Sequence, residues 1–267
     1  MLLKSKMKRT CREKREKEER GSKMNEKVMR IMSKVVLAEK TVQIKLLGDS
    51  ITHGVGGRGW AQTGERITEG FARSPHSFCW ANCFRDHMES RYPCRVTNNA
   101  CTGTTIEFIL DRFDELVAPD DDIVLCAIGT NNRHQYYRNA PMHTREEHMR
   151  NFYGHILELH DRFLAAEKDV VFIANIPASA ENERGTSEYA RLFHMCDVSD
   201  MYAKAAAERG FAFIDLYNDL LAWCDAHKEV PDSFLCDGLH PNDRGHALMF
   251  RLIMAETGLA MNLPDLR

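Results

Sequence analysis

The stretch IKLLGDSITHGVGG, from Ile44 to Gly57, is an apolar run that stops at Gly-Asp-Ser and continues into glycines. Three readings compete for its serine. Ser50 caps a helix, as serine does at strand-to-helix junctions. Or the glycines wrap a phosphate at a helix N-terminus. Or Ser50 is a nucleophile held in the open at a strand end, with the glycines after it leaving room for substrate.

The surrounding pattern sets the fold. Five short runs are apolar on both faces: TVQIKLLG (41–48), CRVTNN (94–99), DIVLCAIG (122–129), DVVFIANI (169–176) and FAFIDL (211–216). Buried parallel strands have this character. Helical stripes separate them. In 77–91 the stripe is Phe78, Cys79, Trp80, Cys83, Phe84 and Met88; in 104–117 it is Ile106, Ile109, Leu110, Phe113 and Leu116. Segments 145–167, 187–209 and 243–257 are helical in pattern as well, and a further helical piece follows the fifth strand. Repeated strand–helix units predict an α/β fold, a five-stranded parallel sheet flanked by helices with right-handed crossovers.

A chain of 267 residues with 43% hydrophobic and 28% charged residues suits one large soluble domain. No internal repeat and no Pro/Ser-rich linker divides it. Residues 1–30 carry 12 Lys/Arg against 5 Asp/Glu, a balance of +7, which leaves −10 for the remainder. The expected organisation is therefore a basic, flexible extension over 1–30 and a single domain over 31–267. A start at Met24 is a second reading of the same head. No aromatic residue interleaves with its charges, and the body is acidic, so nucleic acid is not expected as a partner. No apolar segment is long enough to span a bilayer, and the charged N-terminus lacks the apolar core of a signal peptide. Nine scattered cysteines without a CxxC predict reduced thiols and a cytoplasmic location.

In a parallel α/β sheet, reactive groups gather at the carboxyl ends of the strands. Gly48-Asp49-Ser50 follows the first strand, Asn98-Asn99-Ala100-Cys101-Thr102-Gly103 the second and Gly129-Thr130-Asn131-Asn132 the third. Asp237-Gly238-Leu239-His240-Pro241 lies near the C-terminus. These are parts for acyl transfer. A serine hydroxyl needs a base to take its proton; histidine is the side chain type suited to that role, and His240 is the candidate. Asp237 can fix the imidazole tautomer. The oxyanion needs preorganised donors, which the Ser50 and Gly103 N–H groups and the Asn131 amide can supply.

With these residues in order, the sequence resembles the SGNH hydrolases, also called the GDSL esterase/lipase family. GDS matches the nucleophile block at Ser50, NACTGTT the glycine block at Gly103, GTNN the asparagine block at Asn131 and DGLHP the Asp-x-x-His-Pro block at Asp237 and His240. The resemblance covers roughly Thr41 to Gly258. It implies a three-layer flavodoxin-like fold and a Ser-His-Asp triad that works without a cofactor. At one position the chain departs: the third block usually ends in Asp, and here it is Asn132.

Other chemistries fit less well. GVGGRG (54–59) matches G-x-G-x-x-G, but its first glycine comes several residues after the strand, and the next strand ends in Asn-Asn rather than an acidic residue. There is neither a Walker-type loop nor a G-x-S-x-G elbow. His143 and His148 in HTREEH are five apart, which fits neither common zinc-helix spacing, so no metal is expected. Arg133, His134, Tyr136 and Tyr137 directly follow the asparagine block and are expected to line the substrate side. The long 53–75 connection is a candidate rim, and His53 is expected to be local structure. The function expected is hydrolysis of a short-acyl ester, an O-acetyl group on a carbohydrate or other polar alcohol. The alternatives are a lysophospholipase, a thioesterase, an acyltransferase, or a non-catalytic ligand-binding scaffold.

Overall fold

A computed structural model describes residues 26–60, 66–67, 70–71, 77–134, 144–185 and 191–259. Helix α1 covers 26–36 and leads to β1 (Val42–Gly48), α2 (Ser50–His53) and α3 (Trp80–Arg91). Then come β2 (Cys94–Asn98), α4 (Ile106–Asp111), α5 (Phe113–Leu116) and β3 (Ile123–Ala127). Next are α6 (Arg145–Ala165), β4 (Asp169–Ala174), α7 (Ala180–Arg184) and α8 (Met195–Arg209). The chain closes with β5 (Ala212–Asp215), α9 (Leu216–His227) and α10 (Asp243–Glu256). A separate antiparallel ladder pairs Arg66–Ile67 with Gly70–Phe71.

The five named strands form one sheet in the order β2-β1-β3-β4-β5, parallel throughout. Side chains on a strand alternate between faces, and both faces are covered. Ile123, Leu125 and Ala127 of β3 enter one apolar cluster with residues of α1, α3, α9 and α10. Val124 and Cys126, with Ile128 just after the strand, enter a second cluster with α4, α5, α6 and α8. Phe172 shows how the second cluster is filled. It is fully buried, with its ring 4.8 Å from Phe211 and 5.6 Å from Tyr202. Burial of one such ring is worth about 1.5–3 kcal/mol.

The expected strands all form, each within two residues of the bounds read from the pattern. Two helical segments differ. The stripe over 104–117 is broken at Arg112, whose ψ of 24° leaves the helical region and splits α4 from α5. The segment expected over 187–209 is helical from Met195, and residues 186–190 lie outside the described part. α1 also crosses the boundary expected between 30 and 31. Val28 is buried in the core beside Ile31, Met32 and Val35, so the packed domain includes residues before 31. Among the described residues no helix is long and apolar enough to cross a membrane.

His246 of α10 ties three segments together. It is fully buried; Nδ1 accepts from Trp80 N at 3.4 Å, and Nε2 donates to Val55 O at 3.1 Å. That pattern requires a neutral ring. Burial, partly offset by the Val55 carbonyl, pushes its pKa down to about 4. The unfolded chain therefore takes up this proton first as pH falls. The contribution of His246 is intact above the unfolded value of roughly 6.5 and is lost as pH drops toward the folded one. Between pH 7 and 5 this ring should cost about 2 kcal/mol of unfolding free energy. Urea unfolding at both pH values should show a smaller loss for His246→Gln than for the wild type; equal losses would exclude this ring as a source of acid sensitivity.

Candidate active site

The strand order reverses at β1, which sits between β2 and β3. Three loops therefore meet at neighbouring carboxyl ends, the crevice where α/β sheets place ligands. Ser50 follows β1, Gly103 follows β2 and Asn131 follows β3.

The cap of α2 is Asp49, not Ser50. Asp49 has extended backbone (φ −101°, ψ −157°), and its Oδ1 accepts from Ile51 N at 2.9 Å. Asn175 Nδ2 reaches Asp49 Oδ2 at 3.2 Å and Thr130 Oγ1 at 2.9 Å. Asp49 is fully buried, and burial raises its pKa against the pull of the Thr130 hydroxyl and the Ile51 N–H. With capping done by its neighbour, the Ser50 side chain is left for another partner. Its N–H, at the first helical position, has no acceptor within the helix.

That partner is His240. Its Nε2 lies 2.8 Å from Ser50 Oγ, and its Nδ1 lies 2.6 Å from Asp237 Oδ2. The other carboxylate oxygen, Asp237 Oδ1, accepts from Leu239 N at 3.0 Å and His240 N at 2.7 Å. Burial works against this charge, but the His240 ring and the two N–H groups outweigh it. The Asp237 carboxyl is held below the usual carboxylate range. A carboxylate at Nδ1 fixes the N–H there and leaves Nε2 to accept the serine proton.

The glycine tail has a different job from the one expected. Gly56 has a φ of +90°, and a Cβ on it would lie 2.2 Å from Pro241 O and 3.0 Å from Cys236 Sγ. The loop after the serine thus packs backbone to backbone against the segment that carries Asp237 and His240. Arg58 N adds a bond of 2.7 Å to Asp243 Oδ1. None of residues 54–59 lines the cleft around Ser50 and His240; Gly56 brings the two halves of the site together, while Gly54 and Gly57 pack against Cys79 and Phe78.

Gly103 needs its glycine for conformation, with a φ of +81°; a Cβ there would meet no atom within 4 Å. Asn131 Nδ2 donates to Thr104 O at 2.9 Å, which orients the amide and leaves its second N–H for another acceptor. Ser50, Gly103, Asn131, Asp237 and His240 all line one cleft of about 1000 Å³. Ser179, Asn182, Arg184 and Arg191 form much of its facing wall.

Arg133 does not line this cleft. Its guanidinium is fully buried, donating to Thr130 O at 3.1 Å, Glu183 Oε2 at 2.6 Å and Asn182 Oδ1 at 3.4 Å. Burial pulls its pKa down to about 10, with Glu183 acting in the opposite direction. The expected substrate contact instead pins α7, which carries part of the wall. His134 does line the cleft and contacts Arg191. Burial, then the Arg191 and Arg133 charges, push it down to about 3, so it is neutral. Tyr136 and Tyr137 lie outside the described residues. His53 is buried, with Nδ1 3.0 Å from Thr102 Oγ1 and its ring edge-on to Trp60.

The sequence pattern gave no site role to Asn175, Asn182 or Glu183. Asn175 follows an apolar strand as the other polar site residues do, and that signal was available. Asn182 and Glu183 sit in an ordinary polar stretch that carries none. Among the described residues, His194, Cys196 and Asp197 bring possible metal-binding atoms within 4.8 Å of one another. Both Asp197 oxygens already accept from Arg145 at 2.8 Å, and none of the three lines the cleft.

A strand-end serine joined by a histidine to a carboxylate thus sits at the carboxyl edge of a flavodoxin-like parallel sheet. Residues 46–248 match the GDSL-like Lipase/Acylhydrolase family, and the chain belongs to it. It is an ester-hydrolysing serine hydrolase. No curated protein sequence matches it significantly. Solved structures share the fold at low identity. LAE5, an alpha/beta hydrolase from the metagenome of Lake Arreo, Spain, is 22% identical with a TM-score of 0.59, over 83% of this chain and 97% of its own. A catalytic mutant of Axe2, an acetylxylan esterase from Geobacillus stearothermophilus, is 20% identical with a TM-score of 0.59, over 83% and 96%. The acetyl xylan esterase AlAXEase is 15% identical with a TM-score of 0.57, over 80% and 98%.

Gly56→Ala tests the loop packing. A side chain in left-handed backbone costs roughly 1–2 kcal/mol, and the Pro241 carbonyl in its way is backbone. Ester turnover should fall more than tenfold as the His240 loop shifts. Gly154→Ala is the control: it lies in α6 with nothing within 4 Å of its Cβ and should leave turnover unchanged. Equal activity in the two variants would rule out the proposed packing role of Gly56.

Proposed function

We propose that Ser50 is the nucleophile, His240 the general base and acid, and Asp237 the carboxylate that orients it. One observation carries this: the continuous line Asp237–His240–Ser50, with contacts of 2.6 and 2.8 Å. Ser50 Oγ attacks the ester carbonyl carbon while Nε2 takes the hydroxyl proton. The oxyanion of the tetrahedral intermediate faces the Ser50 and Gly103 N–H groups and the second Asn131 amide hydrogen. As the intermediate collapses, the C–O bond to the alcohol breaks and Nε2–H protonates the leaving oxygen. Water then attacks the acyl-enzyme, gives its proton to Nε2 and releases the acid, with the proton returning to Ser50. No step calls for a cofactor.

The substrate is a short-acyl ester, an O-acetyl group on a carbohydrate or similar polar alcohol. The facing wall supports this, since Ser179, Asn182, Arg184 and Arg191 offer hydrogen bonds to hydroxyl groups. Leu235, Cys236 and Leu239 supply the apolar side chains among the described lining residues, beside the serine where the acyl group would sit. The acetylxylan esterases that share the fold act on substrates of this type.

Purified protein and Ser50→Ala should be compared on p-nitrophenyl acetate, butyrate and octanoate, and on acetylated xylo-oligosaccharide. The wild type should prefer acetate, and Ser50→Ala and His240→Ala should each lose nearly all turnover, because triad members act as a unit. A preference for octanoate would sink the short-acyl assignment. Asn131→Ala should lower kcat by roughly a hundredfold to a thousandfold with little change in KM. A twofold loss would remove Asn131 from the oxyanion hole.

A further inference from the structure

Asn132 stands where the family block usually has Asp, and it is engaged on every side. Its Oδ1 accepts from Ile106 N at 3.0 Å, at the start of α4. Its Nδ2 donates to Glu107 Oε2 at 2.7 Å. Its carbonyl lies 2.7 Å from His148 Nε2. The other oxygen of Glu107, Oε1, meets His155 Nδ1 at 3.0 Å. Thr105, the cap residue of α4, makes no side-chain cap bond, so Asn132 does that work from another loop.

The neighbour Asn131 grips the same segment, through its bond to Thr104 O. Two consecutive asparagines thus clamp the Gly103–Ile106 stretch at two points. The clamp joins the loops that supply two of the proposed oxyanion donors, Gly103 N and Asn131 Nδ2. We propose that Glu107 is a positioning residue for the oxyanion hole, acting through Asn132, and that the pair Glu107/Asn132 sets the spacing of those donors. The proposal rests on the esterase mechanism above.

The chemistry explains why an amide rather than a carboxylate belongs here. A carboxylate in place of the Asn132 amide could still accept from Ile106 N, but its second oxygen would sit against Glu107 Oε2. Two carboxylate oxygens at that separation with no proton between them repel, and one group must move or take up a proton. An amide supplies the missing donor. The residue pairing is therefore reciprocal: Glu107 needs an amide opposite, and a carboxylate in the loop after β3 would need an amide on α4.

That reciprocity gives the test, made in the full chain with p-nitrophenyl acetate at pH 8. Asn132→Asp should lower kcat at least tenfold with KM changed less than threefold, because oxyanion donors act in the transition state. Glu107→Gln alone keeps an acceptor for Asn132 but alters the His155 contact, and should lower kcat less than Asn132→Asp does. The double variant Asn132→Asp/Glu107→Gln restores a donor–acceptor pair with the roles exchanged and should recover kcat to within threefold. A kcat for Asn132→Asp equal to wild type overturns the proposal. So does a double variant as slow as Asn132→Asp, or one that regains its Tm but not its kcat. If Asn132→Asp does not fold, Glu107→Ala replaces it: kcat should fall at least tenfold at constant KM, and wild-type kcat would overturn the proposal. A wild-type protein without ester turnover, or a Ser50→Ala variant that keeps it, marks failure of the esterase mechanism itself and takes this role down with it.

Discussion

The 2.8 Å contact between Ser50 Oγ and His240 Nε2 joins residues 190 positions apart, and most of the site's architecture serves to hold it. A hydrogen bond of this kind is lost over a few tenths of an ångström. Neither side chain can enforce the distance alone. Ser50 is set by the cap of α2, where Asp49 takes over the bonding that a serine would otherwise do. His240 is set by two contacts to Asp237, from its own N–H and its ring, and Leu239 N–H adds a third bond to the same carboxylate. The relation between the two is set by how their loops pack. At Gly56 the Pro241 carbonyl occupies the place a Cβ would need, so the two loops come into backbone contact there.

This geometry is built on the sheet. Parallel strands in the order β2-β1-β3 bring three carboxyl ends together, and each contributes one proposed oxyanion donor. The fourth participant arrives from outside the sheet, in the segment before α10, and is anchored there by His246 and Asp243. Polar residues next to Ser50 extend the order: Asp49, Thr130 and Asn175 form a buried set, and Arg133 continues it outward to Glu183 on α7. Burying a guanidinium is costly unless its hydrogen bonds are met, and here it has partners in three residues. Their effect is to fix the cleft wall relative to the loop after β3.

The sheet was legible because its signal is local. Each strand is a short apolar run ending in glycine or small polar residues, and the runs can be read one at a time. The four blocks of the site were legible for the same reason. What the sequence hid was pairing across distance. Arg133 looked like a substrate contact since it follows Asn131 directly, yet its partner Glu183 is fifty residues away in an ordinary polar stretch. The glycine tail looked like space because its neighbour, Pro241, lies far along the chain in another loop. α1 shows another limit. Val28, Ile31, Met32 and Val35 have helical spacing, but the dense charges before them made the boundary fall too late.

Asn132 illustrates how far a departure from a family pattern can be understood from physical chemistry alone. Taken by itself, Asn for Asp removes a charge and looks like a loss. In the structure it adds a donor where Glu107 provides an acceptor. Glu107 is stabilised as an anion in turn: burial opposes its charge, but His155, nearby backbone, Thr105 and Asn132 together hold its pKa down to about 2. The negative charge has not vanished from this corner of the site; it has moved from the loop after β3 to the first turn of α4. There it stands beside the positive end of a helix dipole and next to a histidine whose own pKa it raises. The unit that must be kept is the donor–acceptor pair, and a substitution at either member has to be judged with the other in place.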